Sequence, residues 1–114
     1  MKKSFDQVFP LVKEGSDLAI KKGKVDICRA CLKGTEELGE LAAEVLKYVG
    51  HKKSSQTKTQ SIKKIKSEGV DTIIAILDVL NLVDISPEEI FSLTEKAVKK
   101  WKLKHINKNE REKN

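Results

Sequence analysis

The chain has 114 residues, of which 39% are hydrophobic and 35% charged, and its formal net charge is +6. Few glycines, prolines and aromatic residues argue against an all-β fold. No apolar run approaches the about 20 residues of a membrane span, and the N-terminus lacks a signal-peptide core. We therefore expect one all-α domain in the cytoplasm, with no membrane partner.

The distribution of lysines argues against nucleic acid as the partner. Residues 51–67 hold six lysines and no acid, and residues 96–104 hold five more lysines. Acidic residues gather elsewhere in the chain. Such a separation of charge suits a binding site in which acidic residues hold a metal ion and basic residues hold a polyphosphate.

Two helices are predicted in the first half of the chain, over residues 4–22 and about 25–49. The predicted apolar face of the second helix consists of Cys28, Cys31, Thr35, Leu38, Leu41, Ala42, Val45 and Val49. Cys28 and Cys31 form a CxxC without a second pair, so they are predicted to be ordinary buried, reduced cysteines.

An acidic row lies beside this apolar face. At about 100° per residue, Glu37, Glu40 and Glu44 share one stripe of the second helix, with Glu36 next to them. Like charges three and four residues apart repel each other, and a bound cation would relieve that repulsion. The alternative is a solvated acidic edge.

The third helix, predicted over about 61–82, carries a second acidic face. Asp71 and Asp78 are set into the almost wholly apolar stretch 70–82, and Glu68 lies one turn before Asp71. No lysine or arginine occurs between positions 67 and 95. Buried carboxylates are normally paired or bound to metal. Because no cation is built into either acidic face, the two faces suggest a site for one or two divalent ions. All-oxygen ligands favour Mg²⁺, with Mn²⁺ as a substitute.

The remaining segments are a loop, a fourth helix and a tail. Residues 51–61 are predicted to be a mobile lysine-rich loop, which either closes over substrate phosphates or is simply solvated. Ser86 and Pro87 mark the start of the fourth helix, which is apolar on one side and basic on the other. Residues 105–114 are predicted to be a charged C-terminal tail after a single domain over 1–104.

Two motifs carry a family resemblance. Glu36-Glu37-Leu38-Gly39-Glu40 resembles the EExxE motif, and Glu68-Gly69-Val70-Asp71 the ExxD motif, of the MazG-like, all-α nucleoside triphosphate pyrophosphatases. The resemblance implies a four-helix bundle that completes its core as a homodimer or homotetramer. It also implies that Glu37, Glu40, Glu68 and Asp71 hold Mg²⁺.

The resemblance implies hydrolysis of a nucleoside triphosphate to a monophosphate and pyrophosphate. The candidate catalytic residues are Glu36, Glu37 and Glu40, and Lys96 with Lys99 or Lys100 are the candidate phosphate ligands. Asp78 and Asn81 either contact the base or join a buried network. The alternative function is a non-catalytic helical module that binds nucleotides, nucleic acid or another protein.

Overall fold

The computed structural model describes residues 4–23 and 26–113, with side chains described up to residue 106. A 3₁₀ turn, Phe5–Gln7, leads into α1 (Val8–Lys21), followed by α2 (Ile27–Tyr48), α3 (Lys58–Leu82) and α4 (Pro87–Lys113). All regular structure in the described residues is helical, which confirms the all-α prediction. The described residues form two compact units divided between Asp84 and Ile85. A single domain over 1–104 therefore stays a prediction.

Polar side chains define where the helices begin. The Asp26 carboxylate accepts a hydrogen bond of 2.8 Å from the backbone N–H of Arg29 and thereby caps α2. Thr57 and Gln60 form a capping box at the start of α3. This box starts α3 at Lys58, so the predicted loop over 51–61 is wrong at its C-terminal end.

The first unit contains α1, α2 and α3, and α3 packs against both other helices. Small residues lie where α2 meets α3: Ala30 and Ala75 are buried, and a Cβ built on Gly34 would lie 4.0 Å from the Cβ of Ala75. Farther along α2, Glu37 and Glu40 lie near Glu68, which precedes Ala75 on α3. The two helices are therefore antiparallel, and the two acidic faces meet.

The prediction of the apolar face of α2 is largely wrong. Leu38, Val45 and Val49 are 56%, 40% and 52% exposed, and both cysteines are exposed as well. The buried residues of α2 are instead Ala30 and Glu37, which share with Gly34 the side of the helix that faces α3. The prediction of buried cysteines therefore fails for this chain.

The second unit is described by itself. Its helix α4 begins at Pro87, as predicted, with a capping box in which the Ser86 hydroxyl accepts a 3.1 Å hydrogen bond from the N–H of Glu89. The helix continues to Lys113, so the predicted tail over 105–114 is largely helical. None of the helices in the described ranges has a stretch long and apolar enough to cross a lipid bilayer.

Candidate metal centre

Three carboxylates from two helices meet in the first unit. Glu37 and Glu40 lie one turn apart on α2, and Glu68 comes from α3. One carboxylate oxygen from each residue lies within 4.8 Å of the others. We call these three residues the carboxylate cluster. It unites three of the four residues that the motif resemblance implies as metal ligands.

Two oxygens of the cluster are buried and have no hydrogen-bond partner. These are Oε2 of Glu37 and Oε2 of Glu68. Glu37 is only 8% exposed, which is rare for a glutamate. An unpartnered buried carboxylate oxygen is costly, so such atoms normally face a cation or a donor.

The environment of Glu68 disfavours its charged form. Burial is the largest cause that raises the pKa of the Glu68 carboxyl above its ordinary value. The nearby carboxylate of Glu40, and the negative charges of Glu37 and Asp71, raise the pKa of Glu68 further. A bound divalent cation would reverse this balance, since it favours ionised carboxylates. The donor set, oxygen only, fits Mg²⁺ or Mn²⁺.

A lysine side chain forms ion pairs at the edge of the cluster, and these pairs were not predicted. The Lys33 ammonium lies 3.0 Å from Oε1 of Glu37 and 3.6 Å from Oε1 of Glu36. The hydrogen bond to Glu37 and the charges of both glutamates raise the pKa of Lys33. Lys33 is one turn before Glu37, so the spacing rule for ion pairs on a helix would have found it. It neutralises one oxygen of Glu37 and leaves the other without a partner.

The other acidic candidates lie at the edge of the cluster. Asp71 is exposed and is not one of the three clustered carboxylates, although its charge acts on Glu68. Glu36 is exposed and paired with Lys33. Glu44, one turn beyond Glu40, pairs with Lys47 at 3.0 Å, and its Oε2 is buried without a partner.

Asp78 and Asn81 lie where α1 meets α3. The Ser16 hydroxyl donates a 2.8 Å hydrogen bond to Oδ1 of Asp78, and the Asn81 amide donates to Oδ1 of Asp17 at 3.3 Å. Lys13 donates to Oδ1 of Asn81 at 3.5 Å. These contacts connect two helices and support the structural alternative for both residues. Their role in base binding stays a prediction.

A mostly apolar groove of about 310 Å³ adjoins the Ser16–Asp78 pair and is also lined by Leu11, Val12, Gly15, Ala19 and Ile74. Asp78 follows Glu68 by ten residues on α3, which corresponds to about 15 Å along the helix axis. The sequence alone gave no sign of Ser16, because its partner is 62 positions away.

Lys96, Lys99 and Lys100 are exposed residues of α4, in the second unit. Each of the three lies outside the first unit, which contains the carboxylate cluster. Their part in phosphate binding stays a prediction.

Comparisons with known proteins do not assign the chain to a family. No protein-family model, curated protein or solved structure matches it. The MazG-like resemblance therefore depends on the two sequence motifs alone.

Proposed function

We propose that the protein is a Mg²⁺-dependent nucleoside triphosphate pyrophosphohydrolase of the MazG-like kind that works in the cytoplasm. Its reaction would convert a (d)NTP and water to a (d)NMP and pyrophosphate. The observation that carries this proposal is the carboxylate cluster, whose Glu37 and Glu68 each have a buried oxygen without a partner. Without a cation, three clustered carboxylates repel one another.

The cluster residues would act as ligands of the metal ion. Glu37, Glu40 and Glu68 would hold Mg²⁺, with Asp71 completing the set from the edge. The ion would supply charge neutralisation at the phosphates and acidify a bound water. The attacking water forms a bond to the α-phosphorus, the bond from that phosphorus to the α,β-bridging oxygen breaks, and pyrophosphate leaves.

A carboxylate outside the cluster would take the proton of the attacking water. Glu36 and Glu44 are the two candidates. Glu36 is exposed and already paired with Lys33. Glu44 pairs with Lys47 through one oxygen, but its other oxygen is buried without a partner, which favours it as the proton acceptor.

The proposal includes assembly as a homodimer or homotetramer. The first unit buries only three apolar side chains among the described residues: Ala30, Ala75 and Leu77. Large apolar side chains on α2 and α3 are exposed, including Leu38 at 56% and Ile76 at 51%. A second copy that covers these faces would supply the apolar burial that a small domain needs.

Product analysis tests the proposal. The protein is incubated with a panel of canonical and modified NTPs and dNTPs plus Mg²⁺, and the monophosphate, diphosphate, phosphate and pyrophosphate are resolved. We expect monophosphate and pyrophosphate, abolished by EDTA and by Glu40→Gln. Glu14→Gln, an exposed glutamate on α1, is the matched control and should keep full activity. Diphosphate and phosphate as products would refute cleavage at the α-phosphorus.

The exposed apolar surface also favours a second candidate, a helical interaction module without catalysis. In that case the folded protein would turn over no nucleotide, with or without Mg²⁺. Such a result would refute the enzyme proposal and leave binding as the function.

A further inference from the structure

A groove of about 440 Å³ lies beside the first turns of α3. It is lined by Gln56, Gln60, Lys63, Lys64 and Ser67, and we call it the lysine groove. Neither Lys63 nor Lys64 has an ion-pair partner among the described residues. Two ammonium groups thus share one groove without a counter-charge from the described chain.

The two glutamines of this groove keep hydrogen-bond donors available. The side-chain oxygen of Gln56 accepts from the Ser61 hydroxyl at 3.3 Å, and that of Gln60 accepts from the Thr57 N–H at 3.0 Å. Each glutamine therefore keeps its NH₂ group for a ligand. Gln60 also lies in the first turn of α3, where the helix dipole favours an anion. This donor set fits phosphate oxygens.

The lysine groove and the carboxylate cluster are neighbours along α3. Lys64 precedes Glu68 by one turn and Ser67 precedes it by one residue. Four residues of a helix rise about 6 Å, a span that a di- or triphosphate chain bridges. Lys64 and Glu68 are also neighbours on one face of the helix.

We propose that the lysine groove binds the terminal phosphates of the triphosphate substrate, with Lys63 and Lys64 as their ligands. This inference rests on the proposed function. It orients the substrate along α3, with the reacting α-phosphorus at the carboxylate cluster and the departing pyrophosphate at the lysines. The nucleoside of the bound substrate then lies toward Asp78, at the other end of α3.

The orientation has a consequence for the substrate class. A nucleoside diphosphate bound with its α-phosphorus at the cluster has one phosphate fewer to reach the lysine groove. The enzyme should therefore prefer triphosphates to diphosphates, and loss of Lys63 and Lys64 should reduce this preference. Loss of lysines elsewhere would weaken the binding of triphosphates and diphosphates alike, and would change the preference for triphosphates less than the loss of Lys63 and Lys64.

Calorimetric titration with inorganic triphosphate, with Mg²⁺ and again with EDTA, tests the groove. We expect Lys63→Ala/Lys64→Ala to raise the Kd at least tenfold, because the variant loses two charge-assisted contacts to phosphate oxygens. Lys21→Ala/Lys66→Ala is the matched control. It removes the same charge from the first unit at exposed residues that do not line the groove, and should change the Kd less than threefold.

The outcomes separate the groove from the catalytic proposal. Triphosphate binding can be measured whether or not any nucleotide is hydrolysed, and Mn²⁺ binding by electron paramagnetic resonance reports on the cluster alone. Equal losses in the two double variants, or no triphosphate binding by the unmodified protein, would overturn the groove proposal. Stronger competition by a duplex oligonucleotide, lost in Lys63→Ala/Lys64→Ala, would overturn it in favour of nucleic acid.

Discussion

Gly34 on α2 faces Ala75 on α3, and a Cβ at Gly34 would lie in contact with the Cβ of Ala75, at 4.0 Å. Ala75 is 3% exposed. Glu37 follows Gly34 by three residues, and Glu68 precedes Ala75 by seven. The separation of the two helices at this contact therefore controls how closely their carboxylates approach.

Gly34→Leu should force the helices apart and weaken metal binding. We expect Mn²⁺ affinity to fall at least tenfold and the free energy of unfolding to fall by about 1–3 kcal/mol. Gly34→Ala is the control, because 4.0 Å is an ordinary contact and alanine favours the helix by about 0.5–1 kcal/mol. Metal titration and urea unfolding measure both effects. Unchanged Mn²⁺ affinity in folded Gly34→Leu would refute the link between helix spacing and the cluster.

Mg²⁺ should stabilise the folded protein. A ligand at one hundred times its Kd that binds only the folded state adds about 2.7 kcal/mol to the free energy of unfolding. Thermal unfolding with Mg²⁺ and with EDTA should therefore differ, and Glu68→Gln should remove most of the difference. Glu14→Gln should keep it. A Tm that does not respond to Mg²⁺ or Mn²⁺ in the unmodified protein would contradict a metal site.

The stability of the metal-free protein should depend on the protonation of Glu68. Its folded-state pKa lies above the ordinary value, so the unfolded chain loses this proton first as the pH rises. The contribution of protonated Glu68 is thus fully present below the ordinary glutamate pKa. It is lost as the pH rises through the raised pKa of the folded state.

Urea unfolding in EDTA at several pH values measures this dependence, and the comparison with Glu68→Gln isolates it from other titrating groups. We expect the stability of Glu68→Gln relative to the unmodified protein to increase as the pH rises through the raised pKa. A constant difference between the two proteins across that range would refute the assignment.

Sequence spacing predicted the acidic residues that each helix contributes to the cluster, because spacing within one helix depends only on the local sequence. Intervals of three and four residues place Glu37 and Glu40 on one edge of a helix, and the second motif supplies Glu68. The packed face of α2 was not predictable in this way. The helical spacing of apolar residues such as Leu38 and Val45 predicts that their face of α2 is buried. The structure instead buries the face that contains Ala30 and Glu37. Helix contact depends on the partner helix, which a single-helix pattern does not contain.

Ser16→Ala should destabilise the contact between α1 and α3 without changing the metal site. The Ser16 hydroxyl is the hydrogen-bond donor to Asp78, and Ser16 is 5% exposed, so its removal leaves a carboxylate without its donor. We expect the free energy of unfolding to fall by about 1–3 kcal/mol, measured in urea. Mn²⁺ affinity should stay unchanged, because Asp78 lies about 15 Å along α3 from Glu68.

The control for Ser16→Ala is Ser67→Ala, an exposed serine of α3, which should change stability by less than about 0.5 kcal/mol. Asp78→Asn then separates the two roles of Asp78. A raised KM for the nucleotide with unchanged Mn²⁺ affinity would support contact with the base or sugar. An unchanged KM with reduced stability would assign Asp78 to the helix contact alone, because the Ser16–Asp78 pair would then serve only to hold α1 on α3.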